Sequence, residues 1–208
     1  DTFTVSPELL INELTAHPGV ISVSQSHITP WSISSSGIEI SESEDVNEPD
    51  IIAGVYYVSY DYLETMDVPL TAGRDFSRER STDRYPLPGE LEVGNGPYPI
   101  ILDNQSAQAL GWDSATEAVG ERLYLRDVLP EGEVEISVEL NVIGAIDALK
   151  YQFVDFGSFG IQGNVLILQP DIARLMIVKI SKENVNDALQ HIENTWARLM
   201  PTIPLQRE

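Results

Sequence analysis

The sequence predicts an α+β protein with two lobes, and two observations support this prediction. Both ends of the 208-residue chain show a β-α-β pattern whose helix is followed by a proline. The middle of the chain alternates apolar and polar residues over long stretches, as strands with one buried face do. We expect the two ends to pack side by side as one lobe, residues 1–59 and 163–208, with a strand-rich lobe inserted at 60–162.

The N-terminal unit is predicted as strand, helix and strand. The short stretch DTFTV alternates and is taken as the first strand. Ser6 followed by Pro7 has the form of an N-cap with proline at the first helical position. Beyond the sequence HPGV, which ends the helix, Ile21 and Val23 alternate with serines, so we expect a strand that buries the face carrying these two residues.

The C-terminal unit repeats this plan. RLMIVKIS at 174–181 predicts a strand, and Asn184 is the expected cap of a helix that Pro201 ends. TIPLQ, after that proline, is expected to be extended. The helix carries an amphipathic stripe that predicts its buried face, with Trp196 in the core. The stripe consists of Val185, Leu189, Ile192, Trp196 and Leu199.

The middle of the chain predicts further strands. Residues 51–59 are apolar on both faces and indicate a central strand, whereas 77–99 is rich in turn residues and is expected to be a long surface loop. PIIL followed by Asp103 predicts a strand, a cap and a short helix that ends at Gly111. RLYLRDV and VEISVELNVIGAI, separated by LPEGE, form the strongest hairpin pattern.

Composition excludes several classes of function. The chain has 33 acidic and 12 basic residues, a net charge of -21, so nucleic acid is not an expected partner. The absence of cysteine excludes disulfides, thiol catalysis and zinc-thiolate sites. No run of residues approaches the roughly 18 apolar residues of a membrane span. Because the chain begins at Asp1, we expect it to be a piece of a longer protein.

No catalytic, cofactor-binding or metal site can be assembled from the sequence, and the substrate-binding residues are unknown. His17, His27 and His191 show no metal-ligand spacing and are expected in structural or surface roles. FGSFG at 156–160 has the wrong spacing for a nucleophile elbow and predicts a flexible turn. No phosphate-binding glycine motif is present. The chain is therefore expected to be non-catalytic.

The acidic residues allow alternatives that the sequence leaves open. The run at 39–50 lacks the glycine of a calcium loop and is expected to be solvated, although cation binding stays possible. An enzyme would be favoured if a cleft held perturbed carboxylates, for example among Asp61, Glu64 and Asp67. Their expected places are a helix start and its solvent face.

Two other side chains are candidates for a role outside the core. Asn104 fits a glycosylation pattern, but a position at the start of a helix explains it equally well. Trp31, in a serine-rich stretch, is a candidate exposed contact.

The stretch VSYDYLETMDVPLTAGRDFS at 58–77 resembles the signature of MacB-like periplasmic core domains. Val68 and Pro69 match its "I-P" pair, and residues 73–76 match its "G-R-D-F" element. Further similar stretches occur in the family's order: HPGVISVS at 17–24, PIILDNQSAQALGW at 99–112, AVGERLYL at 118–125, LNVIGAI at 140–146 and ENVNDALQHIENTWARLMPTIPLQ at 183–206. The chain departs from the family after LNVIGAI, where only Asp147 and the aromatic residues are kept, and in its long 77–99 segment.

The resemblance implies the extracytoplasmic domain of an FtsX/MacB-type ABC transporter permease in the cell membrane. Its first lobe would be porter-like. Its partners would be its own membrane helices, a cytoplasmic ABC ATPase and, in some systems, a periplasmic adaptor or a second permease copy. No cofactor is implied, and ATP hydrolysis would occur in a separate domain or subunit. The alternative is a free-standing periplasmic binding or adaptor protein with the same lobes.

Overall fold

The computed structural model describes residues 5–29, 37–45, 51–87, 96–128, 134–149 and 160–207. The predicted strand DTFTV, apart from its last residue, the turn FGSFG, apart from its final glycine, and Trp31 lie outside these residues. The described helices are α1 (Pro7–Thr15), α2 (Tyr62–Thr65), α3 (Asn104–Leu110) and α4 (Val185–Leu199). The described strands are β1 (Val20–Ser26), β2 (Gly37–Ser41), β3 (Ile51–Val58), β4 (Leu70–Gly73), β5 (Tyr98–Asp103), β6 (Arg122–Val128), β7 (Val134–Ile146), β8 (Ile161–Leu168) and β9 (Leu175–Ile180).

Six strands close into a barrel in the order β2-β6-β7-β5-β8-β3. The ring closes because β2 pairs with β6 on one edge and with β3 on the other. The β3–β8 and β5–β7 pairs are parallel, and the remaining pairs are antiparallel. β4 pairs with the end of β7 that lies beyond β6, and the predicted hairpin of β6 and β7 is confirmed.

The barrel is filled by apolar side chains, which we call the barrel core. On β7, Val138, Leu140 and Val142 are buried, as their alternation predicts. β5 is buried on both faces: Ile100 and Leu102 belong to the barrel core, and Ile101 belongs to a second apolar cluster outside the barrel. The mixed α+β class predicted from the sequence is therefore confirmed.

The two chain ends form what we call the terminal layer, made of α1, β1, β9 and α4. β1 and β9 pair antiparallel, and α1 and α4 contact each other. This layer has its own apolar core, the layer core. Its buried members are Leu10, Leu14, Val20, Val23, Ala188 and Ile192.

The sheet runs across both predicted lobe boundaries. β3 precedes residue 60 and β8 spans the boundary at 162, yet both strands belong to the barrel together with β5, β6 and β7. Hydrogen bonding also continues from the barrel to the terminal layer through β3 and β1. The division of the chain into 1–59, 60–162 and 163–208 stays a prediction.

The predicted buried face of β1 was partly wrong. Ile21 is 54% exposed, whereas Ser22 and Ser24 are buried. The cause is a bulge between Val20 and Ser22, which shifts the alternation by one residue from that point on. Val23 therefore points into the layer core, as expected, and Ile21 does not accompany it.

Two expectations at the C-terminal end also need correction. Val185 is exposed, and Ala188 and Thr195 are buried instead, because the buried face of α4 is rotated toward these smaller residues. TIPLQ forms no strand. The chain turns after α4 and runs back along it, where the indole Nε1 of Trp196 donates to the carbonyl of Ile203 at 2.7 Å and Arg207 pairs with Glu193 at 3.0 Å.

The helix caps predicted at Ser6, Asp103 and Gly111 are present. Ser6 accepts a hydrogen bond from the N–H of Leu9 at the start of α1, and Asp103 accepts one from Ser106 at the start of α3. Gly111 ends α3 with a left-handed φ of 109°. Asn184 occupies the N-cap position of α4 without a side-chain cap bond. The 77–99 segment is not all surface loop, because Asp83 within it is only 1% exposed and β5 begins at Tyr98.

We expect Trp196→Ala to lower the free energy of unfolding by about 2–3 kcal/mol, below the range for a fully buried aromatic residue. The indole is half-buried against the layer core and also loses its bond to Ile203. Urea unfolding measures this change. Trp196→Phe is the matched control, because it keeps a large ring and should lose only about 1 kcal/mol. An unchanged urea midpoint for Trp196→Ala would show that this side chain does not contribute to the layer core.

Candidate functional site

The residues that carry the family resemblance form a connecting segment, residues 59–76, between β3 and the loop after β4. Its helix α2 lies between two residues with left-handed backbone, Asp61 at φ 63° and Asp67 at φ 53°. Aspartate is among the few non-glycine residues that adopt this conformation without large cost. The segment therefore needs a residue that tolerates left-handed backbone on each side of α2. Its apolar side chains, Tyr62, Leu63, Met66 and Val68, are buried in the second cluster.

The glycine of the GRDF element is required by a close backbone approach. Gly73 has φ 75° and lies opposite Gly144 of β7. A Cβ atom on Gly73 would stand 2.2 Å from the carbonyl oxygen of Ile143, and one on Gly144 would stand 2.5 Å from that of Arg74. The two glycines allow the backbones of β4 and β7 to pair closely at this point. Beyond β4, Phe76 anchors the segment in the second cluster.

The arginine of the element binds a buried carboxylate. Arg74 donates to both oxygens of Asp83 at 2.6 and 2.8 Å, and the N–H of Ser77 donates to the same group at 3.0 Å. Burial alone would raise the pKa of Asp83, but these hydrogen bonds and the guanidinium charge outweigh burial and lower it. Asp83 was predicted to lie in a surface loop, and its pairing with Arg74 was not predicted from the sequence. The four arginines between residues 74 and 84 were the available signal.

The aspartate of the element is a local cap. Asp75 accepts a hydrogen bond from the N–H of Phe76 at 2.7 Å, and burial raises its pKa. The side chain of Arg74 also donates to the carbonyl of Asp75 at 3.0 Å. All four residues of the element thus hold backbone or side chains of this segment in place.

The structure does not bring Asp61, Glu64 and Asp67 into a shared cleft. Asp61 pairs with Arg78 at 2.6 Å, and Asp67 pairs with Lys179 of β9 at 2.6 Å. Lys179 also donates to the carbonyl of Glu64 at 3.0 Å. Arg78 lies over the ring of Tyr60, 4.7 Å from its centroid. The carboxylates of Asp61 and Asp67 therefore bind neighbouring cations on the protein.

The histidines occupy three packing positions. His17 stacks on His191 with ring centroids 4.9 Å apart, at the contact of α1 with α4, and its Nδ1 accepts from the N–H of Gly19. The Nε2 of His191 lies 2.9 Å from the carbonyl of Glu13. His27 accepts from the N–H of Tyr57, and burial lowers its pKa.

The acidic run at 39–50 is described as far as Asp45, and this part is bound by neighbouring residues. Arg126 is 3% exposed and donates to the carbonyls of Ser43 and Asp45. The hydroxyl of Tyr124 donates to Glu44 at 2.8 Å. Among the residues that the structure describes, no cluster of three or more histidine or carboxylate side chains could hold a metal ion.

Asn104 has two partners of its own at the start of α3. Its amide donates to Asp147 at 2.6 Å, and its side-chain oxygen accepts from the N–H of Ala115 at 2.8 Å. Next to it, Asp103 is buried and accepts from the side chain of Asn164 at 2.6 Å, and burial raises its pKa. The sequence analysis did not find this link from β5 to β8, since the two residues lie 61 positions apart.

We expect Gly73→Ala to destabilise the protein more than Gly111→Ala. Both positions have left-handed φ, which costs an L-residue about 1–2 kcal/mol. Only at Gly73 would the added methyl group also collide with a backbone carbonyl, because nothing lies within 4 Å of a Cβ on Gly111. Thermal and urea unfolding of both variants measure the difference. Equal losses would show that the close approach of β4 to β7 does not constrain Gly73.

We expect Arg74→Met to cost about 2–3 kcal/mol at pH 7, because it leaves the buried Asp83 carboxylate without its cation. The partly exposed position of Arg74 keeps this loss below that of a fully buried pair. Arg84→Met, which removes an exposed pair with Asp171, is the control and should cost less than about 1 kcal/mol.

The pH dependence of the Arg74→Met loss tests its cause. The lowered pKa of Asp83 contributes stability above the unfolded carboxyl value, near 3.9, and this contribution disappears as pH falls through the folded value. The difference between wild type and Arg74→Met should therefore shrink as pH falls below about 4. A difference that stays constant down to pH 2 would contradict the ion-pair explanation.

Comparison with known proteins gives a match of fold. No protein-family model matches the chain, and no curated protein matches it. The periplasmic region of MacB from Actinobacillus actinomycetemcomitans is similar, with a TM-score of 0.54 and 14% identity over 92% of this chain and 73% of that one. The extracellular domain of the noncanonic ABC-type transporter YknZ from Gram-positive bacteria has a TM-score of 0.56 and 13% identity over 98% and 88%.

These similarities cover nearly the whole chain, so they concern the barrel and the terminal layer together. At 13–14% identity, they establish the fold. Among the described helices, none is long and apolar enough to cross a bilayer. The chain has the fold shared by the periplasmic region of MacB and the extracellular domain of YknZ, as the resemblance of its sequence implied.

Proposed function

We propose that this chain is the periplasmic domain of an ABC transporter permease of the FtsX/MacB type. In this function it couples cytoplasmic ATP hydrolysis to export, or to mechanical action on a periplasmic substrate or partner. The observation that carries the proposal is the fold likeness to two transporter domains over more than nine-tenths of the chain. The motif matches between residues 58 and 77 support it independently.

The arrangement of the two terminal helices is compatible with insertion between membrane helices. Glu13 of α1 pairs with Arg198 of α4 at 2.5 Å, and His17 stacks on His191. Higher residue numbers at the N-terminal helix thus face lower residue numbers on α4, so the two helices are antiparallel. The start of α1 and the end of α4 lie at the same end of the terminal layer. A domain inserted between two membrane helices needs its entry and exit close together.

The chemistry of the described residues also fits a mechanical role. In the connecting segment, Asp61, Asp67 and Arg74 are bound in ion pairs within the protein and form no nucleophile-base pair. The proposed partners are the permease's own membrane helices and a cytoplasmic ABC ATPase. A periplasmic adaptor or a second permease copy would be a further partner.

The gene on both sides of the chain tests the proposal. We expect an apolar run of about 20 residues ahead of Asp1, three more beyond Glu208, and a neighbouring ATPase reading frame. A signal peptide ahead of Asp1 with a stop codon after Glu208 would contradict the permease. That outcome would favour the free-standing periplasmic binding or adaptor protein.

We also expect the purified 208-residue chain to hydrolyse no ATP, because its proposed part in the cycle is to receive motion. A coupled phosphate-release assay measures this, with the heat-unfolded chain giving the background. Turnover above that background, retained through further purification, would overturn the non-catalytic assignment.

A further inference from the structure

The terminal layer meets the rest of the protein through small polar side chains. Beyond the bulge, alternate residues of β1 present one face to α2 and to Ser59. The hydroxyl of Ser24 lies 3.1 Å from that of Ser59 and donates to the carbonyl of Tyr60 at 2.9 Å. We call this contact the seam. Its buried hydroxyl residues are Ser22, Ser24, Ser26, Ser59 and Thr65.

The backbone connection across the seam is short. β1 and β3 share a single residue pair, Ser26 with Val58, whereas β1 and β9 pair along their whole length. Two flanking bonds extend the link: the N–H of His27 donates to Tyr57, and the N–H of Ser59 donates to Gln25. The layer is therefore attached to the barrel at one corner of β1.

Among the described residues, buried polar atoms without partners lie at the seam, on Ser22 and Thr65, and beside it, on Gln25 and His27. In the part of the chain that the structure describes, no partner is found for the hydroxyls of Ser22 and Thr65, the side-chain nitrogen of Gln25 and the Nε2 of His27. A buried polar group without a partner weakens the packed state and regains hydrogen bonds when water reaches it. The closed seam is thus less stable than the apolar cores on either side of it.

Each side of the seam is held together by its own apolar core. The layer core joins α1, β1, β9 and α4. On the opposite side, α2 is fixed to the barrel, because Tyr62, Leu63 and Met66 are buried in the second cluster together with Val58 and Leu166. Interfaces between packed units with discrete contacts are where rigid-body shear occurs.

One ion pair spans the seam on its outer side. Lys179, opposite Ser22 on β9, reaches across to the carboxylate of Asp67 and the carbonyl of Glu64. The side chain of Lys179 is 25% exposed and that of Asp67 is 67% exposed, so water can replace this contact. Asp67 is also one of the two left-handed residues that bracket α2. Beside this pair, Ile177 packs against the second cluster.

We propose that the terminal layer moves as one body against the barrel along the seam, with the Lys179–Asp67 pair as a releasable clamp. This inference deepens the proposed function by naming its moving part. It is tested on the 208-residue chain alone. It can therefore fail while the gene context still identifies a permease, and it can hold if the gene context does not.

Native-state hydrogen exchange by NMR at low denaturant tests the motion directly. The amides of His27 and Ser59 bond across the seam, and those of Arg74 and Val142 bond within the barrel side. We expect the seam amides to exchange faster, through an opening whose rate hardly depends on denaturant. Exchange of all four amides at one rate, with the denaturant dependence of global unfolding, would overturn the proposal.

Two substitutions should shift this opening in opposite directions. Lys179→Met removes the clamp and should speed exchange of the seam amides roughly two- to fivefold, as expected for a partly exposed ion pair. Thr65→Val replaces an unpartnered hydroxyl by a methyl group and should slow it. Arg122→Met removes an ion pair with Glu139 on the barrel and should leave the seam amides unchanged. If Lys179→Met and Arg122→Met changed the exchange rates of the seam amides equally, the Lys179–Asp67 pair would not be a clamp.

A distance measurement separates rigid-body motion from local fraying. The chain contains no cysteine, so spin labels can be placed at Asp187→Cys on α4 and Glu121→Cys beside β6. The control pair, Glu121→Cys with Ala109→Cys, lies wholly on the barrel side. We expect a broader distance distribution for the first pair, broadened further by Lys179→Met. Equally narrow distributions for both pairs, unaffected by Lys179→Met, would contradict movement of the layer.

Discussion

Strand β2 is hydrogen-bonded along both edges, and the remaining architecture depends on this double pairing. Residues 37–40 pair with β3, and residues 39–41 pair with β6, so β2 closes the ring of six strands. Arg126 fixes the chain as it leaves β2 by donating to the carbonyls of Ser43 and Asp45. Because the ring is closed, the terminal layer can join it only at the end of β3, beyond the residues that pair with β2.

Several of the few basic side chains are bound by partners within the protein. Arg74 binds the buried carboxylate of Asp83, and the buried Arg126 donates to two backbone carbonyls. Arg78, Arg84 and Lys179 pair with Asp61, Asp171 and Asp67. The chain has 33 acidic and only 12 basic residues, so most carboxylates cannot have a cationic partner and the net charge is -21. For a domain proposed to stand beside a membrane, this charge opposes adsorption to anionic headgroups. The domain would therefore be held at the membrane by its covalent connections and by specific contacts.

Local rules predicted the caps at Ser6 and Asp103 and the β6–β7 hairpin, because each depends on residues close in sequence. Ser6 before Pro7 and Asp103 before α3 are such cases. The predictions were wrong where the direction of a side chain depends on a strand that is distant in sequence. Ile21 turns outward because a bulge forms against β9.

Barrel closure depends on the registers of β2 with two strands, which no local pattern encodes. In the candidate site, the sequence identified residues 73–76 but not their partners. Asp83 and Gly144 become neighbours of this element only when the strands assemble.

The connecting segment shows why a sequence can be highly specific where no catalysis takes place. Asp61, Asp67 and Gly73 all have left-handed backbone within thirteen residues, and most L-residues would lose about 1–2 kcal/mol at each such position. The carboxylates at the first two positions bind cations from separate elements, Arg78 and Lys179. Substitution at these positions therefore changes backbone strain and an ion pair together. The segment joins the barrel by apolar burial and faces the terminal layer with polar groups, so its sequence is constrained by two unlike surfaces at once.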